Sequence, residues 1–104
     1  MSANAKQISD LSLRGELTIR TIADVHHQIH AALADTRALV IDLAAAEETD
    51  LTLVQLLLSA RISAERDGKT VTLAQPLPEA FAHELTRGGF FPSDNFWTQA
   101  GNTP

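Results

Sequence analysis

Glu47, Glu48 and Asp50 put three carboxylates within four residues, the densest group of chemistry-bearing side chains in the sequence. Gathered at one point they could offer oxygen ligands to a divalent cation, but no fourth ligand converges on them and no metal is expected there. His26 and His30 stand four apart, a spacing that places two imidazoles on one helical face where they could clamp a metal, with His27 beside them. No third ligand accompanies the pair. The apolar residues Ile22, Val25, Ile29 and Leu33 claim the buried face of the same helix, which leaves these histidines at its margin and exterior. His83 is expected on a helix surface as well. The sequence carries no Gly-x-Ser-x-Gly elbow, no Gly-rich phosphate loop and no nucleotide fingerprint. Neither an enzymatic activity nor a cofactor is expected.

Composition narrows the classes further. A length of 104 residues suits one domain, here taken as residues 1–104 with a core over about 8–97, and 44% apolar residues suffice for a core. The absence of cysteine removes disulfides, thiolate catalysis and thiolate metal ligands. Thirteen acidic against eight basic side chains give a net charge of −5, which opposes a direct nucleic-acid partner. The first residues, Met1 to Lys6, lack the apolar stretch of a secretory signal. The nearly apolar run from Leu51 to Ile62 is broken by Thr52, Gln55, Ser59 and Arg61 and falls short of the roughly 20 residues that span a bilayer. No membrane insertion and a cytoplasmic location are expected.

The elements that must position the acidic group follow from periodicity. Leu11, Leu13 and Leu17 alternate with polar residues, predicting a strand from Leu11 to Leu17, with Ile8 in a strand before it. Thr21 and Asp24 resemble a capping box, and the apolar spacing then predicts a helix from about Ile22 to Ala34. The continuous apolar run Ala38 to Leu43 suits a central strand buried on both faces of a parallel sheet. Asp50 is expected to cap a second helix that runs to about Asp67, where Gly68 ends it. Thr70 to Leu73 makes the next strand, and Pro76 and Pro78 open a third helix through Leu85, closed by Gly88 and Gly89. Phe90, Phe91, Phe96 and Trp97 then supply either core packing or an interface anchor.

The second helix is apolar around most of its circumference. Leu53, Leu56, Leu57, Ala60 and Ala64 fall on one arc and Leu51, Val54, Leu58 and Ile62 on another. Only Thr52, Gln55, Ser59, Ser63 and Arg66 form a polar wedge. Such a helix packs on the sheet and also meets neighbouring helices or a partner; either both arcs are core, or Leu51 and its neighbours form an exposed patch.

Taken in order, Gly15-Glu16-Leu17-Thr18 before the first helix, Val40-Ile41-Asp42-Leu43 in the central strand and Thr49-Asp50 at the second helix resemble STAS domains of the anti-sigma-factor antagonist type. Asp67-Gly68-Lys69 and Arg87-Gly88-Gly89-Phe90 resemble the later words of that family, and the resemblance covers roughly Ile8 to Phe96. It implies an α/β fold: a mixed sheet of four or five strands with an opening antiparallel part and about four helices. It also implies a regulatory module that docks an ATP-binding anti-sigma or histidine-kinase-like protein through Glu47, Glu48, Thr49, Asp50, Leu51, Thr52 and Gln55, with a homodimer as a further expectation. A STAS regulator of a chemotaxis histidine kinase and a STAS subunit of a phospholipid ABC transporter are alternatives on the same fold. A metal-dependent or hydrolytic enzyme is the alternative of another class. In the family an Asp-Ser-Ser-Gly-Leu type segment opens the second helix and its first Ser accepts phosphate; here Leu51 holds that place, which leaves Thr52 as the nearest phosphoacceptor.

Overall fold

The apolar patterns resolve into three helices and five strands in a computed structural model that describes residues 6–89. In chain order these are β1 (Lys6–Ser12), β2 (Gly15–Leu17), α1 (Ile22–Leu33), β3 (Thr36–Asp42), β4 (Ala46–Thr49), α2 (Leu51–Arg66), β5 (Thr70–Leu73) and α3 (Glu79–Arg87). The α/β class holds. The sheet is arranged differently from the mixed sheet expected: β1, β3 and β5 form one sheet in that order, β2 and β4 form another, and every described pairing is parallel. The cause is the chain's route. A helix intervenes between each strand and its sheet neighbour, so each return runs in the same direction and no antiparallel pair occurs among the described residues. The apolar run around Val40 is the central strand β3, as predicted, but it is not buried on both faces: Leu39 and Ile41 are buried while Ala38, Val40 and Asp42 on the other face are only half-buried, because the described helices pack on one side.

The strand predicted over Leu11–Leu17 is in fact two. The chain leaves β1 after Ser12 and turns at Gly15, whose φ of 72° lies in the left-handed region that favours glycine. The break is bridged by the neighbouring chain: Leu13 N–H donates to the Asp42 carbonyl and Gly15 N–H to that of Ala45, both at 3.0 Å. Residues 6–17 therefore run beside residues 36–49 along their whole length, with one bend. Leu13 and Leu17 bury their side chains on the core side of it.

Within the larger sheet, Leu39, Ile41, Val71 and Leu73 are buried, while Ile8, Asp10, Ser12 and Thr70 on the alternate positions are exposed. One face carries the core. Val25 and Ile29 of α1, Leu53, Val54, Leu57 and Ala64 of α2, and Phe81 and Leu85 of α3 complete it. The predicted division of α2 is half right: Leu53, Leu57 and Ala64 are core and Leu56 and Ala60 line its edge, but the second arc splits. Val54 is buried and Leu58 half-buried, whereas Leu51 and Ile62 are exposed by 40% and 51%.

Helix ends show where local chemistry decides. The Thr21–Asp24 capping box does not form, because the Thr21 hydroxyl donates to the Glu16 carbonyl at 2.9 Å and accepts from Thr18 N–H at 3.1 Å. Asp24 accepts from Gln28 Nε2 instead. At the far end of α2, Gly68 N–H reaches the Glu65 carbonyl and Lys69 N–H the Ala64 carbonyl, at 3.1 and 2.8 Å. This pair of bonds wraps the helix end and requires the positive φ of 77° that Gly68 supplies. Lys69 Nζ also donates to the Leu33 carbonyl, satisfying the last residue of α1. The third helix begins at Glu79 with Pro78 as its first flanking residue and extends to Arg87, two residues beyond the expected Leu85. The aromatic residues Phe90, Phe91, Phe96 and Trp97 lie outside the described residues.

Candidate functional site

Both strands of the small sheet point their carboxyl ends at one place. Leu17 of β2 pairs with Thr49 of β4, so the turn that follows β2 and the first residue after β4 emerge side by side. Asp50 joins them. Its Oδ1 accepts from Thr52 N–H at 3.0 Å, the cap expected of it, and its Oδ2 accepts from Ile19 N–H at 3.0 Å. One carboxylate thus closes an orphan donor of the helix N-terminus and ties the β2–α1 turn to the same helix. The favourable end of the helix dipole adds to its hold.

The turn is braced from within. Thr18 Oγ1 donates to Glu16 Oε2 at 2.7 Å, Arg20 N–H donates to Thr18 Oγ1 at 3.3 Å, and the Arg20 guanidinium pairs with Glu16 at 3.3 Å. The consequence is that Ile19, 68% exposed, is anchored by its backbone to Asp50, the residue that precedes exposed Leu51. One large apolar side chain on the braced turn and one at the start of α2 are thus exposed at the two ends of the Asp50 tie. Ile19 had no place in the sequence reading. Its strand-like neighbours conceal it, and only the tie to Asp50 across 31 residues reveals its position.

Glu47 and Glu48, read from sequence as part of an acidic loop, belong to the short strand β4. The pairing of β2 with β4 shifts between Gly15 and Glu16, so that Ala46 faces Gly15 and Glu48 faces Glu16 with Glu47 passed over. A bulge of this kind breaks the in-out alternation. Both carboxylates are accordingly exposed, next to Thr49 and Asp50, which are half-buried. Gln55 is exposed one turn along α2 and Thr52 half-buried. The structure therefore brings the seven predicted residues to one end of the molecule. What it builds there is a relief of apolar and acidic groups. Among the described residues no group of three or more His, Cys, Asp or Glu side chains is placed to hold a metal ion. No helix among them is long and apolar enough to cross a membrane.

His26, His30 and His83 are exposed as expected. The first two are stacked on α1 with ring centroids 6.3 Å apart.

Comparison with known proteins agrees with the fold. No curated protein matches the chain. Among solved structures, the anti-sigma factor antagonist SpoIIAA in its unphosphorylated form matches with a TM-score of 0.61 at 17% identity, over 86% of this chain and 82% of that one. At that identity the likeness is one of fold. The family model described as "Mlab, STAS domain" matches residues 2–90. With most of its length matched, the chain belongs to the STAS domain family.

Proposed function

We propose that this chain is a regulatory binding module that docks a protein partner of the ATP-binding anti-sigma or histidine-kinase-like class through the end of the molecule organised by Asp50. The observation that carries the reading is the double hydrogen bond of that carboxylate, which ties the turn bearing exposed Ile19 to the helix N-terminus that begins with exposed Leu51. Apolar side chains of this size fixed in solvent gain free energy when a partner covers them, and rigidity lowers the entropy lost on docking. Exposed Glu47 and Glu48 beside them favour a basic rim on the partner and exclude acidic surfaces. Thr49, Thr52 and Gln55 supply the remaining polar contacts. The fold shared with an anti-sigma factor antagonist supports the same class of partner.

A second circuit has its own support. The family model that matches is described as Mlab and not as an anti-sigma antagonist, which favours keeping the transporter reading, a STAS subunit docking an ATPase of a phospholipid ABC transporter. Both readings use one face. The test is a calorimetric titration of the purified chain against purified ATP-binding proteins of the anti-sigma, histidine-kinase and ABC-transporter classes from the same organism. Leu51→Asp and Ile19→Asp should each weaken binding about tenfold or more, the scale of an interface anchor. Unchanged affinity in both variants would show that the partner binds elsewhere.

A further inference from the structure

We infer that His26 and His30 of α1 form a two-imidazole site for a late first-row divalent cation, of the Cu(II), Ni(II) or Zn(II) class, at the mouth of the groove between α1 and α2. The spacing alone allows this; the structure adds four particulars. The rings face each other with centroids 6.3 Å apart and planes inclined by only 19°. A cation bonded to one nitrogen of each ring at about 2.0–2.1 Å holds two adjacent ligand nitrogens roughly 3 Å apart, a spacing the neighbouring rings reach by turning their edges toward each other. Both side chains are exposed and free to turn. Neither imidazole engages a hydrogen bond or ion pair among the described residues, so no partner competes with the cation.

The fourth particular is the opposite wall. The pair lines a groove of about 100 Å³ whose far side presents Ser59 and Ser63 of α2 above a floor that includes Leu56 and Ala60. Two imidazoles leave coordination positions open for water. Ser59 and Ser63, which line the same groove, carry hydroxyls of the type that can hydrogen-bond such water and give a weakly coordinated ion outer support. Imidazole nitrogen selects the later transition metals over magnesium and calcium, which take oxygen ligands. The site also stands apart from the docking surface: Ser59 and Ser63 lie eight to twelve residues along α2 from Leu51, about 12–18 Å at the helical rise.

The experiment is calorimetric titration of the tag-free full chain with Ni(II), Zn(II) and Cu(II) separately, with Mg(II) as the oxygen-seeking control. One equivalent should bind per chain, tightest for Cu(II) in the order set by the Irving–Williams series, and Mg(II) should give no heat. His26→Asn and His30→Asn should each weaken Ni(II) binding about tenfold or more, because a chelate becomes a single ligand. His27→Asn and His83→Asn should leave it unchanged, and circular dichroism should show all four variants folded. Equal losses in His27→Asn, or full affinity in His30→Asn, would overturn the assignment, as would a wild-type chain that takes up none of the three ions at ten times the protein concentration.

Discussion

Replacing Asp50 separates its two tasks. In Asp50→Ala the helix cap is lost, at about 1 kcal/mol for a residue of this type. The bond to Ile19 N–H is lost as well. Because Ile19 is exposed, water can replace the carboxylate there, so this loss is reduced to that of an ordinary hydrogen bond, about 1 kcal/mol. The sum is about 2 kcal/mol. With an unfolding entropy of about 2.1 cal/mol/K per residue over 104 residues, the melting temperature should fall by roughly 9 °C. Asp50→Ser keeps a cap but lacks the second oxygen that reaches Ile19, and should recover about half of the loss. Thermal and urea unfolding followed by circular dichroism give the ordering, and hydrogen exchange at the Ile19 amide reports the tie directly. If Asp50→Ser restores full stability and Ile19 exchange is unchanged in Asp50→Ala, the carboxylate is a helix cap alone and the account of the exposed patch fails.

Other perturbations test other links. Leu57→Ala removes a fully buried side chain at the centre of the core and should cost about 2–5 kcal/mol in urea unfolding, a large part of the stability of a domain this size. Gly68→Ala meets no neighbouring atom within 4 Å, so its cost should come from backbone conformation alone, about 1 kcal/mol, with the fold unchanged by NMR. Leu51→Asp places an acid in the first turn of α2 on an exposed position, and its stability should stay within about 0.5 kcal/mol of the parent even where partner binding is lost. That separation of stability from binding would identify Leu51 as a contact residue.

Much of the fold was legible because strong local signals and tertiary context agree. The apolar run around Val40 is central, Gly68 ends α2, and the strand Thr70–Leu73 has its predicted bounds. The misses arise where long-range pairing decides. Ala46-Glu47-Glu48-Thr49 has no strand composition and becomes one only because β2 offers it a parallel edge. Leu11 to Leu17 alternates as a single strand, yet Gly15 bends it into two. Thr21 has the residue type of a cap, but the Glu16 carbonyl lies closer to its hydroxyl than any helical use of it. At the site, Asp50 could be named from its type and position. Ile19 could not, since its role comes from a contact made across 31 residues.

Leu51 then determines what kind of control the proposed surface can accept. In the resembling family a hydroxyl at this place takes phosphate, and the added charge disrupts docking. Here the first residue of α2 is aliphatic and exposed, so it offers apolar surface and no phosphate acceptor. The neighbouring hydroxyl of Thr52 is half-buried, and its own backbone N–H is already committed to Asp50. A phosphate on Thr52 would gain from the helix N-terminus but would stand beside the Asp50 carboxylate, with Glu48 on the adjoining strand. Under the proposed reading, such a modification would loosen the tie that holds Ile19, and so act on the shape of the patch as well as its charge. Incubation with the candidate partner and ATP, followed by mass spectrometry, should place any phosphate on Thr52. A chain that binds its partner with ATP present and stays unmodified would instead show that docking here proceeds without phosphorylation of this chain.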